Sequence, residues 1–433
     1  MNTVKTTEIG HYVGKRVKLQ GWLHTARRIG GISFVILRDG FGTAQAVFEG
    51  KQNGEQTVIP QPESVVTLGG LVVASPQALG GFEISQPELG LVAPVTATLP
   101  VTMGKKELKA TLPTLLDHAV VLNRHPSRRA IFKLAAGTMA AFRHTLNEWD
   151  FTEVQSPKLV GSSTEGGSNV FELPYFGRKA WLAQSPQFYK QIMVGLFERV
   201  YEVGPVFRAE AHDTSRHINE YVSLDVEFGF IEDHFTVMAL VRDLLEGIFT
   251  TLAKKCSAEL ALLEADVPNI PAEIPHIHFE QALELITVET EENVIGETDL
   301  SPQNERWLGE WAQNTYGSDF LFVVGYPMVK RPFYTHPDRS NPRWSNSFDL
   351  LFRGTELITG GQRRHLYGDY LSALEQAGMS AETFEHYLEA FKFGMPPHGG
   401  FAIGLERLIM QLCRLSNVKL ATLFPRDMNR LVP

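Results

Sequence analysis

Residues 207–221 read FRAEAHDTSRHINEY, and residues 403–408 read IGLERL. In the first stretch Arg208 and Glu210 close an apolar run, and a polar loop then returns Arg216 and His217 ahead of Tyr221. In the second, Arg407 stands just after Gly404. A guanidinium keeps its charge at any ordinary pH, and its fork of N–H donors matches phosphate oxygens. Three such arginines, two of them set among apolar residues, point to a clamp for a polyphosphate. Neither a GxxxxGK(S/T) loop nor a GxGxxG turn after a strand occurs, so the phosphates are held in some third way.

Composition frames this reading. At 433 residues, 43% hydrophobic and 21% charged, the chain has room for two or three domains around a large core. No apolar run approaches the roughly 18 residues that span a bilayer. The first residues, MNTVKTTEIGHYVGKR, lack the apolar heart of a signal peptide. The expectation is a cytoplasmic enzyme with no membrane partner. Cys256 and Cys413 lie far apart with no CxxC spacing, so both are expected in the core rather than in a zinc site or a disulfide. The net charge of −9 argues against a general nucleic-acid binder. Yet the first sixty residues hold eight Lys and Arg against four Asp and Glu, and Lys15, Arg16, Lys18, Arg27 and Arg28 crowd together. A basic module on an acidic chain suits local RNA contact; a solvated sheet edge rich in Lys and Arg would look similar.

The first ninety or so residues read as about five short strands, RVKLQGWLHTA, ISFVILRDG, TAQAVFEG, SVVTLGGLVVAS and GFEISQPELGLV, with glycine turns between them. The pattern fits a small barrel of OB or SH3 type. Residues 94–113 show little periodicity and carry Lys105, Lys106 and Lys109, which reads as a linker. From residue 127 the pattern turns helical, with Ile131, Leu134, Met139, Phe142 and Leu146 as an apolar stripe. Beyond it, helices alternate with long strands such as VYEVGPVFRAE, YVSLDVEFGFI and SFDLLFRGTELITGG.

An apolar segment ending at Pro157, then FRAE with its loop, then the glycine–arginine segment ending at Arg407, with QSPQFYKQ between the first two, resemble in order the signatures of the class II aminoacyl-tRNA synthetases. The resemblance covers nearly the whole chain. It is to the aspartyl enzymes of the short archaeal-like type. It implies an α+β fold: an N-terminal five-stranded OB-fold β-barrel over residues 1–95 that binds the anticodon, a linker over 96–126, and a catalytic domain over 127–433 built on an antiparallel sheet flanked by helices. The implied activity is that of a ligase. ATP and L-aspartate form aspartyl-adenylate, which is transferred to the 3′ end of tRNA(Asp). A homodimer is implied as well, joined through the segment ending at Pro157 and its preceding helix.

The resemblance also assigns roles. Arg208 would contact the α-phosphate and Arg407 the γ-phosphate of a bent ATP, with Glu210, Arg216, His217, Glu356 and Gly404 around them and adenine stacked on Tyr221. Glu356 and Thr359 match the pair that holds Mg2+, although serine is commoner than threonine at the second position. Asp349 is near in sequence, with a strand or capping role equally open. Lys190 and Arg363 fall where aspartyl enzymes pair with the substrate's side-chain carboxylate. Glu165, Gln187, Asp225 and Thr359 complete the amino-acid site, with Glu227 nearby. The asparaginyl enzymes share the barrel, the arginines and the metal pair, but QSPQFYKQ and TEGG are the aspartyl forms.

In the barrel, Phe34 and Gln45 match the positions that stack on and hydrogen-bond the central anticodon uridine, beside Arg27 and Arg28. Enzymes of this type that accept only tRNA(Asp) tend to carry Trp where this chain has His24 and Lys where it has Leu79. Those that also charge tRNA(Asn) tend to carry His at the first position and often Pro at the second. His24 therefore implies that tRNA(Asn) is a substrate too, with Leu79 a partial departure. A discriminating aspartyl enzyme is the alternative. A non-catalytic RNA-binding paralogue fits poorly with intact Arg208, Glu356, Lys190 and Arg407. An ammonia-dependent asparagine synthetase would lack the barrel.

Overall fold

The computed structural model describes residues 2–49, 58–161 and 169–433. The chain parts into two compact units, Met1–His125 and Pro126–Pro433. The segment expected as a linker belongs to the first unit. It carries short helices at Leu112–Asp117, where the Thr111 hydroxyl accepts from the Thr114 N–H, and at Ala119–Leu122. Met103, Leu116, Ala119 and Leu122 are buried, a degree of apolar anchoring that the sparse pattern of this stretch did not suggest.

In the first unit, β1 (Arg16–Ile29), β2 (Ile32–Arg38), β3 (Thr43–Glu49), β4 (Val65–Ala74) and β5 (Phe82–Ala93) form a sheet in the order β1-β2-β3-β5-β4, and β4 pairs back to β1. The sheet is thereby closed into a barrel with no free edge among these five strands. Among these five only β3 and β5 run parallel, and a short sixth strand, Asn2–Thr3, adds to β1 in parallel. Alternation along the strands sends Val17, Leu19, Leu23, Val35, Leu37, Ala44, Ala46, Phe48, Val66 and Leu68 into one core. Gly70 is required on β4, where a Cβ would run into Ile84 and the Ser85 carbonyl.

The second unit is built on an eight-stranded sheet. Its members are β6 (Thr152–Glu153), β7 (Arg199–Phe207), β8 (Glu220–Gly229), β9 (His276–His278), β10 (Phe320–Val324), β11 (Ser347–Phe352), β12 (Thr355–Gln362) and β13 (His398–Gly404). They lie in the order β9-β10-β11-β12-β13-β8-β7-β6. The six central strands are mutually antiparallel, and a short parallel strand closes each edge. Helices α1 (Pro126–Glu148) and α3 (His234–Lys255) cover one face. The stripe Ile131, Leu134, Phe142 and Leu146 of α1 packs there with Leu224, Val226, Phe348, Leu350, Phe401 and Ile403 of the sheet. Asp233 caps α3 by accepting from the Phe235 and Thr236 N–H groups, and Lys254 and Lys255 occupy its last turn, both favourable to the helix dipole. Cys256 is buried at the end of α3 and Cys413 half-buried. Among the described residues no helix is long and apolar enough to cross a membrane. With one face of the sheet committed to the core, the other is left for polar side chains.

Candidate functional site

Period-two alternation along β8 decides what that other face carries. Leu224, Val226 and Phe228 go to the core, so Tyr221, Ser223, Asp225 and Glu227 point the opposite way. On β13, Phe401 and Ile403 are core, while Ala402 and Gly404 line a cavity. On β12 a bulge intervenes. The register jumps from Leu350↔Ile358 to Leu351↔Glu356, so Leu357 is an extra residue. Residues three apart on a regular strand face opposite sides. The bulge puts Glu356 and Thr359 on the same one.

The cavity measures about 230 Å3. Arg208, Glu210, Arg216, His217, Tyr221, Glu356, Gly404 and Arg407, every residue expected around ATP, line it, together with Thr359, Ser223 and Glu406. Arg407 lies in the first turn of helix α5 (Leu405–Leu412), and its Nη1 donates to the Glu356 carbonyl at 2.8 Å and to Glu356 Oε1 at 3.2 Å. The Arg208 guanidinium lies 6.0 Å from the Tyr221 ring centroid, so cation and aromatic face share one wall. Arg216 Nη2 donates to Glu305 Oε2 at 2.5 Å, and the same oxygen accepts the Glu356 N–H at 3.0 Å. Glu305 comes from helix α4 (Pro302–Tyr316), far away in sequence, and no local signal marked it. In the loop, His217 Nδ1 is 2.7 Å from the Thr214 hydroxyl and Nε2 is 3.7 Å from Glu210.

Burial would raise the Glu356 carboxyl, but Arg407, Arg331, Arg208 and Arg216 together hold it below its ordinary value. It is an anion in a cationic cavity, well suited to a hard cation. Thr359 Oγ1 lies 3.2 Å from Glu356 Oε1. Asp349 stands opposite Thr359 across the strands, and its Oδ1 takes a hydrogen bond from Arg331 Nη2 at 3.1 Å. Burial raises Asp349 in spite of Arg331. Among the described residues no group of three or more His, Cys, Asp or Glu forms a complete metal cage. An all-oxygen partial set of this kind beside an arginine-lined cavity suits Mg2+, which fills the rest of its shell from phosphates and water.

The amino-acid residues form a second cluster, joined to the cavity through Ser223, whose hydroxyl donates to Asp225 Oδ2 at 2.5 Å. Lys190, on α2 (Gln187–Phe197), donates to Asp225 Oδ1 at 3.0 Å and to the Phe401 carbonyl at 3.1 Å, and lies 3.4 Å from Glu227 Oε2. Arg363 donates through Nε to Glu227 Oε1 at 2.9 Å and through Nη2 to the Gly400 carbonyl at 3.0 Å. All four charged groups are buried. Gly400 is required beside them, because a Cβ would collide with Val226 O and Glu227 Oε2. Burial would neutralise Glu227, yet Arg363 and Lys190 keep it below its ordinary value. The quartet is balanced, two cations against two carboxylates. Gln187 donates to Gln191, which also reaches His398 and Tyr370. Glu165 lies outside the described residues.

In the barrel unit, Phe34 pairs with Val47 and Ile36 with Gln45. Val35, Ala44 and Ala46 fill the core, so Phe34 and Gln45 share the outer face. Gln45 Nε2 donates to Glu83 Oε2 at 3.0 Å. Arg27, opposite Phe34, and Arg28 are exposed. Leu79 is 67% exposed in the turn Leu79–Gly81 that leads into β5. His24 does not join this surface. It is the extra residue of a bulge in β1, between the pairs Leu23↔Leu37 and Thr25↔Ile36. It is buried, with its ring 6.4 Å from that of His125. Burial, with Arg38 and His125 nearby, lowers it to about 4.

Known proteins match on both units. Residues 112–428 match the family described as tRNA synthetases class II (D, K and N), and residues 17–92 the OB-fold nucleic acid binding domain. The aspartate–tRNA(Asp/Asn) ligases of Deinococcus radiodurans and Thermus thermophilus are each 46% identical over 99% of this chain and cover 98% and 100% of their own length. The aspartate–tRNA(Asp) ligase of Pyrococcus horikoshii is 38% identical over 97% of both chains. Among solved structures, asparaginyl-tRNA synthetase from Pyrococcus horikoshii superposes with a TM-score of 0.93 at 31% identity over the full length of both chains.

Proposed function

The chain belongs to the class II tRNA synthetases of the D, K and N group, and from that premise we infer how its residues divide the work of an aspartate–tRNA ligase. The observation that carries the amino-acid assignment is the buried pairing of Lys190 and Arg363 with Asp225 and Glu227. A substrate that brings a side-chain carboxylate together with its ammonium enters this quartet without upsetting its balance. The ammonium goes towards Asp225, and the side-chain carboxylate towards Lys190 and Arg363. Asparagine would bring no anion for those cations, at a cost of several kcal/mol.

The aspartate α-carboxylate is already a nucleophile at neutral pH. One of its oxygens attacks the α-phosphorus of ATP, the bond to the bridging oxygen breaks, and pyrophosphate leaves. No general base is needed, so catalysis rests on positioning and charge neutralisation. Arg208 is assigned to the α-phosphate, and Arg216, His217 and Arg407 to the outer phosphates. Tyr221 offers its face to adenine. Glu356 and Thr359, with Asp349 adjacent, are the residues that would hold Mg2+, which when bound draws charge from the phosphate oxygens. In the second step a terminal ribose hydroxyl of the tRNA attacks the acyl carbon and AMP departs.

The anticodon is assigned to the outer face of the barrel, with Phe34 stacking and Gln45 hydrogen-bonding. We propose that the enzyme charges tRNA(Asn) as well as tRNA(Asp). Supporting this, the relatives at 46% identity bear the Asp/Asn name, whereas the Pyrococcus horikoshii relative at 38% is named for tRNA(Asp) alone. His24, set in its bulge, would act on the third anticodon base through the shape of β1. The asparagine tRNA so charged needs a separate amidating enzyme. A homodimer joined through α1 and the segment ending at Pro157 is part of the same proposal. Aminoacylation with labelled aspartate of tRNA(Asp) and tRNA(Asn) transcripts side by side tests the specificity. Both are expected to be charged; charging of tRNA(Asp) alone would leave a discriminating enzyme.

A further inference from the structure

The loop of residues 211–217 that presents Arg216 and His217 to the cavity is exposed along most of its length, yet it is tied at several points to the last stretch of the chain. Lys419, buried in the turn Val418–Ala421, places its Nζ 2.6 Å from Asp213 Oδ1 and 2.6 Å from Asp427 Oδ2. Asn429 Nδ2 donates to the other Asp213 oxygen at 2.9 Å. The Val418 N–H donates to the Ser215 carbonyl at 2.8 Å, and the Asn219 N–H to the Arg426 carbonyl at 2.7 Å. Below the loop, Val418 packs with Ile218 and Met410.

We propose that residues 417–430 form a strap that sets the phosphate loop, with Asp213 as the positioning residue on the loop and Lys419 and Asn429 as its anchors. The inference rests on reading the cavity as the ATP site. An exposed loop with no regular structure has many conformations available, and each phosphate contact must offset the entropy of ordering it. Ties at Asp213, Ser215 and Asn219 bracket Arg216 and His217 on both sides, so the strap orders the loop before ATP arrives. Lys419 suits the task. Burial works against its charge, but the hydrogen bonds to Asp213 and Asp427 raise it above the ordinary ammonium value. The Asp427 side chain is only 4% exposed, so the anchor keeps its partner when Asp213 is removed.

Asp213→Ala is the test. The position is exposed, and the Lys419–Asp427 pair survives the change. The expected result is a rise of about tenfold in the KM for ATP in aspartate-dependent ATP–pyrophosphate exchange, with the KM for aspartate and the thermal midpoint unchanged. Hydrogen exchange at residues 211–217 is expected to quicken in the absence of ATP, and Asp213→Glu to restore both properties. An unchanged KM for ATP, or an equal rise in both KM values, would overturn the strap. Failure of the unsubstituted protein to catalyse exchange would count against the ligase reading instead. The hydrogen-exchange arm would then judge the strap alone, and unaltered protection would overturn it.

Discussion

Thr359 Oγ1 stands 3.2 Å from Glu356 Oε1 because Leu357 is bulged out of register between them. Three residues of regular strand would have sent one of the two into the core with Ile358. The bulge therefore brings together the pair proposed to hold Mg2+. Thr359→Val keeps the shape and removes the oxygen. It is expected to raise the Mg2+ concentration needed for half-maximal pyrophosphate exchange by about tenfold or more, while Thr359→Ser stays near the parent. A Mg2+ titration of the three proteins checks this, and identical curves would remove Thr359 from the site.

Arg363→Gln leaves Glu227 buried beside one cation instead of two. The expected result is a loss of about 3 kcal/mol in stability by urea unfolding and a fall of roughly a thousandfold in kcat/KM for aspartate. The KM for ATP should change little, because Arg363 does not line the cavity proposed to hold ATP.

Glu406 sits at the base of α5, buried beside the cavity, with its carboxylate accepting the Val222 N–H. Burial raises it from 4.5 to about 7. The folded state prefers the neutral acid, so the stability it contributes is full below about 4.5 and is lost as pH rises through about 7. Glu406→Gln keeps an acceptor without the charge. It is expected to match the parent near pH 4.5 and to be more stable near pH 8.5, by at most about 3 kcal/mol. Urea midpoints across that range check the sign; a variant less stable at high pH would show that the carboxylate is needed in its charged form.

Phe34→Ala removes the stacking face on the barrel. A loss of roughly 1–3 kcal/mol per base corresponds to a rise of about 5- to 150-fold in the KM for tRNA. Pyrophosphate exchange, which needs no tRNA, is expected to be unaffected. A change in exchange of the same size would mean that Phe34 supports the fold rather than the anticodon.

Much of the site was legible in the sequence for identifiable reasons. Arg208, Glu210, Arg216, His217 and Tyr221 lie within one short stretch, and ordered segments tied them to Glu356 and Arg407. Period-two spacing along β8 carries Ser223, Asp225 and Glu227 to one face, yet Asp225 and Glu227 enter the sequence reading only through the resemblance, and Ser223 does not enter it. What stayed hidden depended on partners distant in sequence. The bulge at Leu357 exists only relative to β11, and Glu305 reaches Arg216 from a helix with no motif of its own. Lys419 belongs to no motif, and only the folded chain places it against Asp213 in the loop of residues 211–217. The resemblance places His24 among the anticodon contacts, and the structure buries it in a bulge that no alternation pattern reveals.

Amino-acid selectivity in ATP–pyrophosphate exchange, with aspartate and asparagine compared on the same preparation, tests the central claim most directly. The Lys190–Arg363 pairing predicts exchange driven by aspartate, with kcat/KM for asparagine lower by roughly a thousandfold or more. Exchange supported equally well or better by asparagine would contradict it, and would mean that the buried quartet does not read the substrate's charge.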